Sequence, residues 1–294
     1  MLSTQNRSAP AEVREIDLIQ QIVQDSKQGK LKLPMLPVIA VRLHRAAEQL
    51  SKNADDFARL IEVDSGLAAK LVEVSNNPLY KGIEKVQSLK EAITRLGLDN
   101  TKNIVFIYSL RNAFDSRNAT VRRRMVEVWT RSRKVAAISF VLSQRIPQMD
   151  PNRAILAGLV HEIGSLPVLQ YLEGFPDFAS DDRKVANLLE RVSGPLGRFV
   201  LKHWKFDPEL CELPVAIQNN LRDSGEAADY ADLVLVARAH SRFGERDDPS
   251  ENQLMLLEMP AFHKMPLNRQ GPAESMRVLR EAKTEIDRVM NLLK

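Results

Sequence analysis

The chain holds a single cysteine, Cys211, in 294 residues. That excludes an internal disulfide and a zinc cage built from thiolates. Glycine is scarce, at 12 residues, and aromatics make up only 5%. The core must therefore come mainly from Leu, Val, Ile and Ala, and with so few glycines a helical protein is favoured over a strand-rich sandwich. There is no glycine-rich phosphate cradle. No Ser/His/Asp set stands in a recognisable nucleophile context. Residues 1–15 lack the apolar stretch of a secretory signal. The apolar runs, such as 155–160, are short beside the roughly 20 residues that span a bilayer. With one cysteine, these absences lead us to expect a soluble, cytoplasmic protein and no membrane partner.

What is present is charge and helical spacing. The net charge is +4, but it is unevenly spread. Residues 115–145 carry eight bases (Arg117, Arg122, Arg123, Arg124, Arg131, Arg133, Lys134, Arg145) against two acids, Asp115 and Glu127. That local excess is larger than the whole chain's, so the remainder is slightly acidic.

Apolar residues recur at helical intervals with start and stop signals between them. Ile16, Ile19, Ile22 and Val23 mark a helix over 12–28, and Pro37 opens another to about Leu50. Asn53, Asp64 and Ser88 are N-caps, and Gly97 is a stop. Asp99 starts an apolar helix through Leu110. Residues 120–145 form a long helix with a basic outer face. Asp150-Pro151 opens a helix through Ile163, interrupted at Gly164 and Pro167. Further helices fall at 182–192, 195–204, 208–219, 229–243 and 272–293. Residues 244–271, with Pro249, Pro260 and Pro266, read as irregular or mobile. No strand alternation and no repeat is evident. The fold class is all-α, a multi-helix bundle. We divide it into a helical lead-in (1–30), a main domain (31–225) and a helical extension (226–294). The last helix, with Met276, Leu279, Ile286, Val289 and Leu293, packs on the main domain or mediates association.

Several stretches occur in a telling order. They are Leu33-Pro34-Met35-Leu36-Pro37, then Leu60-Ile61-Glu62-Val63-Asp64, then Asn76 to Tyr80. Ser88-Leu89 with Leu96-Gly97-Leu98 follows, and then Ala157-Gly158-Leu159-Val160-His161-Glu162-Ile163-Gly164. Gly197 and Trp204 come last. This order resembles the HDOD family, the HD-related output domain of bacterial signalling proteins, over about 31–225. The resemblance implies an all-helical bundle related to the metal-dependent HD phosphohydrolases. It does not by itself imply hydrolysis, because function lives in the site.

The same resemblance says where metal ligands would fall. His161-Glu162 stands where those enzymes have His-Asp. The other positions map near Ser132, Ser193, Asn219 and Asn220, with a late acid near Ala237 or Arg238. Serine and asparagine are poor ligands, and arginine repels a cation. Ser132, His161, Glu162, Ser193, Asn219 and Asn220 thus read as a degenerate former metal pocket, with no metal, no cofactor and no catalytic residue assigned. His161 itself reads as a core histidine bonded to a neighbour, or as part of a residual ligand pocket. His44, His203, His240 and His263 lie outside the matched positions. Cys211 reads as a buried, inert thiol.

The basic residues Arg122, Arg123, Arg124, Arg131, Arg133 and Lys134 could dock an acidic or phosphorylated protein, a cyclic dinucleotide or another nucleotide. The plainer reading is a solvated face, or pairing with acids such as Asp181 and Asp182. Nucleic acid is disfavoured, since Trp129 alone among these bases offers an aromatic face, too little to stack successive bases. We expect a non-catalytic signalling module that binds protein partners. The alternatives are a phosphohydrolase or phosphodiesterase acting on nucleotides or cyclic dinucleotides, and a nucleotide sensor without turnover.

Overall fold

The computed structural model describes residues 14–34, 38–47, 53–80, 84–242, 249–266 and 271–293. Met35, Leu36 and Pro37, and with them the expected helix opening at Pro37, lie outside the described residues. After α1 (Glu15–Lys27) and α2 (Val38–Ala47), side-chain caps fix where the helices begin. The Asn53 side chain accepts from the amides of Asp55 and Asp56, and the Asp56 carboxylate accepts from Asn53, starting α3 (Ala54–Ile61). Asp64 accepts from Leu67 at the head of α4 (Ser65–Ser75), and Ser88 from Glu91 at the head of α5 (Leu89–Leu96). Each such cap is worth about 1 kcal/mol. Gly97, at φ +77°, ends α5 and lets α6 (Leu98–Arg111) start at once.

The long helix α7 (Ala119–Ser143) is capped by Asn118 and runs through the middle of the main core. It packs against α8 (Pro151–Val160), which Asp150 caps and Pro151 opens. A turn leads to α9 (Ser165–Tyr171), and α10 (Pro176–Ser180) follows. Pro167 sits in the first turn of α9, where a missing N–H costs nothing. Then come α11 (Asp182–His203) and α12 (Pro208–Ala216). Next, α13 (Tyr230–Ser241) lies against both α7 and α8, with Leu233 to Ala237 buried. The rest is α14 (Pro249–Glu258), α15 (Pro260–His263), α16 (Gly271–Glu281) and α17 (Lys283–Leu292). No strand occurs among the described residues, so the all-α class holds. A second, smaller cluster joins α2 to α6 through residues such as Phe57, Ile61, Leu71 and Ile93.

Four expectations need correction. Residues 182–204 do not form two helices. Pro195 lies inside the single helix α11, whose Val185, Leu188, Val192, Leu196 and Val200 make one continuous buried face. Burial of that face outweighs the one hydrogen bond that proline removes. Residues 244–271 are not irregular throughout. Pro249 and Pro260 open α14 and α15 instead of breaking the chain, and Leu256, Met259, Phe262 and Met265 are buried. Residues 243–248 and 267–270 lie outside the described residues. The helix expected over 272–293 is two helices meeting at Ala282, because α16 packs on α14 whereas α17 packs on α7. Finally, Pro151–Gly174 is long and apolar enough to cross a membrane by length and composition alone, but 83% of its most apolar window is buried inside the protein.

The seam between α7 and α8 is unusually close. A Cβ built on Gly158 would lie 2.4 Å from Ala136 Cα and 2.7 Å from Ala136 N. Backbone cannot yield as a flexible side chain can. Gly158→Ala is expected to destabilise the fold by about 1–3 kcal/mol or more, as overpacked cores do. Urea denaturation of the variant checks this, and an unchanged midpoint would refute the seam.

Candidate functional site

The His161-Glu162 doublet lies in the turn from α8 to α9. His161 keeps helical geometry as the C-cap of α8. Gly164 decides what can approach this turn, since a Cβ there would lie 1.9 Å from Ser193 O and 2.4 Å from Gly197 N. α11 therefore rests directly on the turn. Gly158 brings α7 to the other side. Helices α7 and α13 pack on α8, and α11 packs on the turn and α9.

The side chains meet unequally. His161 is 3% exposed, and its Nδ1 is 2.7 Å from Gly158 O. A carbonyl can only accept, so Nδ1 carries the proton and Nε2 is the acceptor. Burial pushes the His161 imidazole down to about 4, with Glu162 opposing, so it is neutral at pH 7. For Glu162, burial alone would raise the carboxyl. The charges of His161, Arg131 and Arg238 outweigh it and hold the group below its ordinary range. Arg131 approaches Glu162 Oε2 at 3.3 Å. Arg238, itself pushed down by burial, donates to Ile217 O at 2.7 Å, tying the end of α12 to α13.

The other expected pocket residues contribute little. Ser132 is fully buried on α7, one residue from Arg131, and its hydroxyl has no hydrogen-bond partner among the described residues. Ser193 abuts the turn through its carbonyl, while its hydroxyl donates within its own helix to Leu189 O. Asn219 and Asn220 are exposed in the turn after α12, and Asn219 Oδ1 accepts from Leu221 N at 2.9 Å. Ala237 is core. Among the described residues, no three His, Cys, Asp or Glu side chains gather as a metal site would need.

Elsewhere, His203 is exposed at the end of α11, and His263 is exposed with Nε2 2.7 Å from Leu257 O. His240 is buried and likewise pushed down to about 4. The side chain of His44 lies outside the described residues. Cys211 is buried, and that burial pushes its thiol up.

The basic segment does not form one stripe. Arg124 is buried, donating to Ala179 O at 2.8 Å and Asp182 at 2.9 Å. Arg123 reaches Asp182 at 3.6 Å, and Arg122 pairs with Asp115 at 2.9 Å. Arg131 turns to Glu162, and Arg133, also buried, donates to Met290 O. Lys134 donates to Ser241 O. Arg238 stands at the position of the late acid and, as its charge requires, acts on Glu162 instead of on a cation. Arg111 has no place in the sequence reading, although a base ending α6 near the basic helix is a readable signal.

The shifts on His161 and His240 give a pH dependence. Between about 6.5 and about 4 the unfolded chain takes up protons at these imidazoles and the folded chain does not. Stability is therefore expected to fall as pH drops through that window, with less slope in His161→Gln. Denaturant midpoints across pH 7 to 4 check this. A His161 ring titrating near 6.5 by NMR would contradict it.

Comparison with known proteins now has a geometry to meet. The HDOD domain family model matches residues 33–220, more than half of the chain. No curated protein matches the sequence. Among solved structures, the fold is similar to a candidate metal-dependent phosphohydrolase from Shewanella amazonensis SB2B, with 27% identity and a TM-score of 0.80, over 95% of this chain and 99% of that one. It is similar to an HDOD domain protein of unknown function from Geobacter sulfurreducens, with 17% identity and a TM-score of 0.64, over 95% and 98%. It also resembles a candidate signal transduction protein from Marinobacter aquaeolei VT8, with 19% identity and a TM-score of 0.62, over 95% of this chain and 65% of that one. The last two likenesses speak to the fold alone. With its motifs in order, its helices converging on the His-Glu turn and the family model spanning most of its length, this chain belongs to the HDOD family.

Proposed function

We propose that the chain is a non-catalytic signal-transduction module that acts by binding protein partners. One observation carries the reading: Arg131 pairs with the carboxylate of the His-Glu turn at 3.3 Å, and the charge of Arg238 lies near enough to favour its ionised form. An HD-type metal would need several His or carboxylate ligands from different helices. Here one neutral imidazole and one carboxylate converge, and two guanidiniums already supply the positive charge. Ser132 and Ser193 are weak donors, and Asn219 and Asn220 face solvent. These residues do not fit a divalent ion, and we derive no hydrolytic step through one. Membership of the HDOD family, an output domain of bacterial signalling proteins, supports a regulatory role over a metabolic one.

The name of the Shewanella structure favours the other reading, a phosphohydrolase or phosphodiesterase. Turnover decides between them. The purified chain is assayed with Mn²⁺, Fe²⁺ and Mg²⁺ against nucleotides, cyclic dinucleotides and phosphomonoesters, beside His161→Ala. The expected result is no turnover above that of the variant. Metal-dependent turnover lost in His161→Ala would overturn the proposal.

A further inference from the structure

Arg122, Val126, Trp129 and Arg133 follow one another along α7 at intervals of four, three and four, so they share one side of the helix. That side forms a wall of a cleft of about 670 Å³, which Arg111 at the end of α6 and Asp115 in the following loop complete. Val126 is 53% exposed on this wall.

The cleft is short of negative charge. Asp115 pairs with Arg122 at 2.9 Å. That leaves Arg111 and Arg133 with no carboxylate partner among the described residues. The Arg111 side chain makes no hydrogen bond or ion pair among the described residues. Arg133 is 9% exposed; one end of its guanidinium donates to Met290 O, but its Nε is buried with no acceptor. Burial pushes the Arg133 guanidinium down, and the like charge of Arg111 pushes it further. A buried donor without an acceptor, beside a second cation, is costly, and an anion would relieve both deficits.

We propose that this cleft binds a phosphate ester, its anionic oxygens held by Arg111 and Arg133 and its body lying along Val126. A phosphate offers three acceptor oxygens and up to two negative charges, suiting the planar fork of Arg111 and the charge of Arg133, part of whose guanidinium is already given to Met290 O. A carboxylate has one charge and fills one fork. Arg123, Arg124, Arg131 and Lys134 take no part, because each is committed elsewhere. This cleft is distinct from the His-Glu turn, so its failure would leave the proposed function standing.

The test is calorimetry on the full chain with pyrophosphate as the probe, ionic strength held constant with chloride. R111Q removes an exposed, unpartnered side chain, and circular dichroism confirms that the variant folds. R123Q removes an exposed cation outside the cleft. Saturable one-to-one binding is expected, weakened about tenfold or more by R111Q, the loss of a charge-assisted contact, and unchanged by R123Q. ADP and a phosphoserine peptide then distinguish a free phosphate ester from a phosphorylated chain, and whichever binds more tightly names the source. Absence of saturable heat, equal affinity in R111Q, or binding of pyrophosphate but of neither ester would overturn the proposal.

Discussion

Helix α7 can lie against α8 only because position 158 has no Cβ, and α11 can rest on the turn after α8 only because position 164 has none. Those two contacts set the distances around His161 and Glu162. They bring backbone to backbone, so nearby polar side chains are stripped of water. Such groups need partners, and which partners they find determines what the turn can do.

The partners here are arginines. Glu162 loses water on burial, and Arg131 and Arg238 return the lost stabilisation as charge. His161 gives its Nδ1 proton to Gly158 O and stays neutral. The Glu162 carboxylate thus carries an ion pair to Arg131 at 3.3 Å, although its buried Oε2 accepts no hydrogen bond among the described residues. The basic segment divides by the same logic. Arg123 and Arg124 are paired with Asp182 and Arg131 with Glu162. On the side of α7 that faces the end of α6, Arg133 and Arg111 are left without an acid partner among the described residues.

Much of this was legible in the sequence. Caps at Asn53, Asp64, Ser88 and Asp150 set helix starts that the structure keeps. The glycines of the motif 157–164 marked the close seams, although their geometric role needed coordinates. Three features were not legible because they depend on distant packing. Pro195 stays within α11 because one apolar face runs past it. Pro249 and Pro260 open helices because buried Leu256 and Phe262 anchor them. Residues 272–293 divide at Ala282 because each half meets a different neighbour. At the site, the sequence placed Ser132 and Ser193 near the His-Glu turn only through the family resemblance. It could not say that Arg131 and Arg238 converge on one carboxylate, since 107 positions separate them in the chain.

The central claim is that guanidinium charge stands where an HD enzyme would hold metal. The most direct measurement is the metal content of the untagged protein, by mass spectrometry, after growth with iron, manganese and zinc supplied. Folded protein with well under one equivalent of any of the three is the expected result. Near-stoichiometric metal that is lost in His161→Ala would contradict the claim.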